Sequence, residues 1–297
     1  MDKKLSLRNF QRKYGTNDEC LEAIKKLRFP DEMECPKCKR LSVFYHLTGR
    51  TSYNCKFCNY QIYPLAGTIF EKSTTPLQYW FFAMYLMTQT RSGTSAKQLE
   101  RMLGVTYKTA WRMFKQIRLL MAQEGGMLDG EIEIDETFLG GKGKNRAYKP
   151  NFGEIPKEIV MGIVERKGKA YFKHIPNTGK WTLLKEVREH VNPTAHVMTD
   201  EYRAYTSLPR LGYKHDTVIH SANQYVSGNA HVQTVEGFWS ILKRGVYGVY
   251  RVVSKKYLQS YVDEYAFRFN NRQNPLMFNT LLNQVANVRL LKVQLLV

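Results

Sequence analysis

The chain has 297 residues, 43% of them hydrophobic and 13% aromatic, which supplies at least one sizeable core and excludes a disordered chain. Its 45 lysines and arginines outweigh 26 acidic residues, a formal +19, so the expected partner is polyanionic, nucleic acid first and an anionic membrane surface second. No apolar run approaches the roughly 18 residues that would span a bilayer, the N-terminal stretch has no apolar signal core, and four of five cysteines stand in CxxC pairs. These features predict a cytoplasmic protein with no membrane partner.

Residues 1–30 read as a basic helical arm. Residues 31–65 hold Cys35 and Cys38, then Cys55 and Cys58, with 16 residues between the pairs. That is the spacing of a zinc ribbon, in which each pair sits on a tight turn and a hairpin brings the pairs together around one structural Zn²⁺. A block this short has little core, so the metal is expected to supply its folding energy. Cys20 lies outside the pattern and reads as a buried thiol, and His46 lies inside it without being needed as a ligand.

Residues 75–122 turn helical. TTPLQYWFFAMYLMTQ predicts a buried helix with Pro76 in its first turn. A second amphipathic helix over residues 96–103, a short turn and a third helix over residues 107–120 follow the helix-turn-helix layout. On the third helix Ala110, Trp111, Phe114 and Ile117 share one face, and Lys108, Arg112 and Lys115 share another. A basic face opposite an apolar anchor suits insertion into a DNA groove.

Gly125 and Gly126 mark a linker, and the period then changes. Strands are expected at residues 131–138, 159–165 and 169–175, the last two forming a hairpin turned at Lys167 and Gly168. A helix over 181–191, a strand over 195–199 and helices over 230–246 and 255–271 complete residues 128–272 as an α/β domain with a mixed sheet and flanking helices. The basic, glycine-rich stretch 140–153 reads as a loop, either filler or a phosphate contact. Residues 273–297 read as a C-terminal helical tail.

Metal-assisted phosphodiester chemistry needs two or three carboxylates converging on divalent cations, for which Mg²⁺ or Mn²⁺ is suited. Asp135 stands towards the end of a predicted central strand and Asp200 directly follows another, where side chains project into the crevice of an α/β sheet. Glu236 would come from a helix held over them by Val235, Trp239 and Leu242. Seven residues bring a helix to within about 20° of its starting direction, so Glu236 and Lys243 share a stripe. Glu131, Glu133 and Asp135 share one strand face, and Glu136 and Glu201 adjoin the two aspartates, so periodicity leaves the choice among these acids open.

The stretches IDETFLGG, MTDEYRAY and IHSANQYVSGNAHVQTVEGFWSILKRG resemble the catalytic domain of bacterial DDE-type insertion-sequence transposases. More narrowly, they resemble the group with an N-terminal zinc ribbon and a ribonuclease-H-like fold. The resemblance runs over residues 28–272, with ribbon, helix-turn-helix and three acidic stretches in the expected order. It implies Asp135, Asp200 and Glu236 as the catalytic triad holding two Mg²⁺ (or Mn²⁺) ions, and Lys243, with Arg244 beside it, as DNA-holding residues. It further implies double-stranded DNA partners (terminal inverted repeats and target), a homodimer or larger synaptic complex, and a nucleoid-associated location. Two alternatives are a nuclease of the same fold without strand transfer, and a non-catalytic DNA-binding regulator. His220 and His231 flank the catalytic helix as local hydrogen-bonders or substrate contacts.

Overall fold

The computed structural model describes residues 5–123, 125–140, 157–218 and 233–287. They form two compact units, one comprising the described residues up to 90, 96–121 and those from 274, the other 91–95 and 122–273.

The first unit begins with helices α1 (Leu7–Lys13) and α2 (Asn17–Arg28). Ser6 caps α1 through the Asn9 amide, and Thr16 and Glu19 form a reciprocal capping box on α2, each satisfying amides that a helix start leaves unpaired. The segment expected as an arm is packed helix. Phe10, Tyr14, Cys20, Leu21 and Ile24 are buried, and Phe10 meets Tyr85 of α3 (Leu77–Gln89) and Phe278 of α9 (Met277–Asn287). Arg8, Arg12, Lys13 and Lys26 are exposed, whereas Lys25 is buried with its ammonium 3.2 Å from Asp31. Helix α3 is buried along most of its length, as its aromatic run predicts, with Pro76 at its N-cap. Four short antiparallel strands, β1 (Glu32–Glu34), β2 (Leu41–His46), β3 (Tyr53–Cys55) and β4 (Gln61–Ile62), lie in chain order.

Helices α4 (Ala96–Leu103) and α5 (Tyr107–Leu119) are joined by Gly104, Val105 and Thr106. Gly104 takes a φ of 66°, open to glycine without steric cost, and Thr106 caps α5 through the Thr109 amide. Ala110, Phe114 and Ile117 are buried as expected, whereas Trp111 is half-buried and Met113, Gln116 and Arg118 join the buried set. Lys108 and Arg112 are exposed; Lys115 is half-buried, its ammonium 5.5 Å from the Trp111 ring centroid.

The second unit is built on a five-stranded sheet, ordered β7-β6-β5-β8-β9. Its strands are β5 (Glu131–Leu139), β6 (Glu158–Glu165), β7 (Ala170–Ile175), β8 (His196–Asp200) and β9 (Lys214–Val218). Strand β6 runs antiparallel to β5 and β7, while β8 is parallel to both β5 and β9. The β6–β7 hairpin turns at Lys167, which adopts a φ of 63°. Strand β9 was not expected. Only Val218 in its KHDTV sequence is buried, and an edge strand so polar gives no alternation to read. Helix α6 (Lys180–His190) covers one face, where Ile132, Ile134, Ile163 and Val187 share a core. Helices α7 (Gln233–Arg244) and α8 (Lys255–Asn270) cover the other, with Val160, Phe172, Val235, Trp239, Leu242 and Val262. Helix α7 ends at Arg244 rather than Val246 and passes into a π-helical turn, Gly245–Tyr250. This sheet with helices on both faces is consistent with a ribonuclease-H-like transposase catalytic fold.

Candidate active site and zinc centre

The four paired cysteines converge. Cys35 Sγ lies 3.6 Å from Cys58 Sγ and Cys38 Sγ 3.9 Å from Cys55 Sγ, and all four sulfurs fall within 4.8 Å of one another. A tetrahedral ion with Zn–S bonds of about 2.3 Å sets its sulfurs about 3.8 Å apart, so the thiolates fit Zn²⁺ as they stand. The two turns are built alike. The Lys39 amide donates to the Cys35 carbonyl and the Asn59 amide to the Cys55 carbonyl. Lys39 and Asn59, each directly after its CxxC pair, take φ values of 60° and 55°. His46 is apart from this chemistry, with its Nε2 2.8 Å from the Arg50 carbonyl. Cys20 is buried as read, donating to the Tyr14 carbonyl, and burial pushes its thiol up to about 12.

The acids are brought together by the sheet. Glu133 on β5 pairs in parallel with Met198 on β8, and continuing that register by two residues sets Asp135 beside Asp200. Alternation puts Ile132 and Ile134 towards α6, so Asp135 faces α7. Its Oδ2 accepts a 2.8 Å hydrogen bond from Trp239 Nε1, and its Oδ1 accepts from the Glu136 amide at 2.8 Å. Glu236 stands on α7 one turn before Trp239 and is exposed, and Asp200 is half-buried, accepting from the Tyr202 amide at 3.1 Å. Burial raises the Asp135 carboxyl above its ordinary range, and the negative charges of Asp200 and Glu236 add to the rise; the Trp239 and Glu136 hydrogen bonds oppose it.

The indole reaches Asp135 because its path is clear. Gly162 on β6 is the register partner of Asp135. A Cβ there would stand 2.9 Å from both Phe172 Cε1 and Trp239 Cζ2. The missing side chain lets Trp239 lie against the strand and present Nε1 to the carboxylate.

The other acids on these strands separate by environment. Glu131 is exposed and ion-paired with Arg166 at 3.1 Å. Glu133 is fully buried, paired with Arg166 Nε at 2.8 Å and bonded to the first turn of α7. Glu136 points to the α6 face and accepts from the Tyr205 hydroxyl. Burial, with the charges of Asp135 and Asp200, pushes it up to about 7 against the lowering effect of that bond. Glu201 is exposed. Helical spacing predicted a polar stripe on α7, and Gln233, Glu236 and Ser240 are exposed along it, with Lys243 half-buried and Arg244 exposed at its end. Trp239 was expected only as an apolar anchor, and its polar edge, one turn after Glu236, was the signal for its second task. Gly162 carried no motif, and Tyr205 closed the stretch MTDEYRAY without a role being read for it.

In the basic and aromatic run after α7, Tyr250 donates to Glu264 at 2.8 Å and Lys255 pairs with Glu158 at 3.1 Å. His220, His231, all of the 140–153 loop after Gly140 and the first residues expected in α7 lie outside the described residues. Among the described residues no helix is long and apolar enough to cross a membrane.

The ISXO2-like transposase domain matches residues 127–270, and the transposase zinc-ribbon domain matches residues 15–61, taking in α2 as well as the cysteine turns. An uncharacterized protein in transposable element ISH50 of Halobacterium salinarum is 28% identical over 263 residues, covering 82% of this chain and 88% of that protein. An uncharacterized transposase-like protein of Haemophilus influenzae is 30% identical over 107 residues, 36% of this chain and 85% of that protein. A chain in a simian T-cell lymphotropic virus intasome structure aligns over 63% of this chain and 65% of its own length at 12% identity and a TM-score of 0.31, a likeness too slight to argue from. Four thiolates arranged for zinc and a mixed sheet with acids at adjacent strand ends stand within the two matched segments, and the chain belongs to the DDE-type insertion-sequence transposases with an N-terminal zinc ribbon.

Proposed function

We propose that the protein cleaves DNA at the ends of a mobile element and joins the freed 3′-hydroxyls to target DNA, with Asp135, Asp200 and Glu236 as the catalytic carboxylates. The observation that carries this reading is the convergence of the three acids: the parallel register of β5 and β8 brings Asp135 beside Asp200, and the 2.8 Å bond from Trp239 to Asp135 seats the helix that bears Glu236 over them. A buried carboxylate with two further carboxylates near enough to act on it forms an oxygen-donor set that divalent cations neutralise. Two Mg²⁺ or Mn²⁺ ions bound there would activate the attacking oxygen and stabilise the leaving one.

Each residue has a distinct part. Asp135 is held by Trp239, so its free lone pairs keep one orientation. Asp200 is held beside it by the strand register. Glu236, exposed on α7, completes the set from above. Hydrolysis at the element end leaves a 3′-hydroxyl, and its in-line attack on a target phosphodiester needs no covalent enzyme intermediate. Lys243 and Arg244 follow two turns on, where a cation holds the DNA backbone. The ribbon and the α4–α5 pair, with Lys108, Arg112 and Lys115, bind the inverted repeats. Joining two ends in one event calls for a dimer or larger complex.

The test is incubation of the full chain with DNA carrying the element's ends, target DNA and Mg²⁺. Nicked ends together with joined products are expected. Nicks without joining from pre-cleaved ends would reassign the protein as a nuclease, and binding without nicks would leave a regulator.

A further inference from the structure

Three acids share one face of β5, and the proposed chemistry uses only Asp135. Glu133 is the one whose burial calls for a reason. Its side chain is 0% exposed, and an isolated carboxylate is costly to bury. Four hydrogen bonds compensate it. Oε2 accepts from the amides of Thr234 at 2.8 Å and Val235 at 3.2 Å; Oε1 accepts from the Thr234 hydroxyl at 2.9 Å and from Arg166 Nε at 2.8 Å.

Thr234 and Val235 open α7, and first-turn amides have no partner within their own helix. A side-chain oxygen just before the helix ordinarily takes them. The neighbouring strand supplies the cap instead, and its negative charge is further favoured by the helix dipole.

We infer that Glu133 is a positioning residue: it caps α7 from β5 and thereby fixes where Glu236 points relative to Asp135. This rests on the assignment of Glu236 as a metal-holding acid. Glu133 and Asp135 are one strand repeat apart, and Val235 adjoins Glu236. Trp239, one turn beyond Glu236, returns to Asp135 at 2.8 Å. Glu236 thus lies between two ties that both end on the same face of β5. Aspartate would fall one methylene short of the amides, and glutamine would turn an amino group towards donors. Arg166, bonded to Glu131 as well, holds the Glu133 carboxylate in place.

The test uses the full chain carrying Glu133→Gln, Glu133→Ala, Glu236→Ala and the Glu133→Gln/Glu236→Ala pair. Amide hydrogen exchange and Mn²⁺ affinity are read on each, with thermal melting to select the variants that remain folded. Exchange at Thr234 and Val235 should accelerate in Glu133→Gln while β5 and β6 stay protected. Mn²⁺ affinity should fall about 10–100-fold, as for other residues that orient metal-holding groups. In the Glu236→Ala background the same change should cost almost nothing further, because the route of its effect is gone. Unchanged exchange at Thr234 and Val235, or an undiminished loss of Mn²⁺ affinity without Glu236, would overturn the inference. A wild-type chain that binds no Mn²⁺ would instead sink the proposed function, and the exchange result would still decide whether Glu133 caps α7.

Discussion

The cysteine cluster and the acidic cluster both gather groups of a kind that can bind metal, but they are assembled on opposite plans. All four thiolates come from two local turns, each closed by its own backbone hydrogen bond and its own left-handed residue at Lys39 or Asn59. The acids come from two strands and a helix, and no local turn holds any pair of them. Asp135 and Asp200 meet through strand register, and Glu236 depends on how α7 is seated, through Trp239, Gly162 and Glu133. A centre made of local turns is legible in spacing and is lost when the metal is lost. One made of distant elements should tolerate metal removal but be sensitive to changes that touch none of its acids.

The largest effect should fall on the ribbon. Chelating zinc, or Cys38→Ser, should unfold residues 31–65, since structural zinc contributes about 10–16 kcal/mol in small metal-folded domains. Circular dichroism and limited proteolysis would read this, and a ribbon that stays protected without metal would remove the contrast. The same chelation should leave the sheet of the second unit folded.

At the acids, Asp135→Asn and Asp200→Asn should each abolish cleavage while binding of element ends persists. Normal cleavage by either variant would end the triad assignment.

Glu136 gives the metal-free protein a pH signature. Its carboxyl is raised from 4.5 to about 7 in the folded state, so the folded chain holds this proton more tightly than the unfolded chain. Its contribution is present at low pH and is lost as pH rises from about 4.5 through about 7, by on the order of 2–3 kcal/mol. Glu136→Gln should flatten that slope and stabilise the protein at neutral pH in denaturant titrations. An unchanged slope would mean that Glu136 is not buried against Tyr205.

Gly162→Ala sharpens the comparison from outside the acids. The added methyl must displace Phe172 or Trp239, costing about 1–3 kcal/mol as overpacking does. Cleavage should fall as the indole leaves Asp135, while end binding and zinc content stay unchanged. The smallest effect is expected for Lys243→Ala, which should lower the slope of log affinity against log salt by about one phosphate contact.

Much of the architecture was open to sequence reading. The CxxC spacing located the zinc turns, and α3, α4, α5 and β5 to β8 fall within a residue or two of their expected bounds because each carries a strong period or a breaker at its end. The edge strand β9 was hidden because its polar sequence buries one side chain. The first 30 residues showed their helical period but not their burial, because the partners of Phe10 lie on α3 and at Phe278, far along the chain. The amphipathic pattern on α7 was visible, with Glu236 on its polar stripe, but the pattern treated Trp239 as hydrophobic mass alone.

By itself the sequence determined the basic charge, the thiolate pairs, the periodicity of the elements and three acidic stretches in family order. It could not choose among Glu131, Glu133 and Asp135, which share a strand face and a charge. Tertiary structure separated them by what each meets: Arg166 at the surface for Glu131, the open end of α7 for Glu133, and the charges of Asp200 and Glu236 for Asp135. Strand periodicity reports the direction of a side chain, while the task of a carboxylate depends on the donors and charges that folding brings to it from elsewhere in the chain.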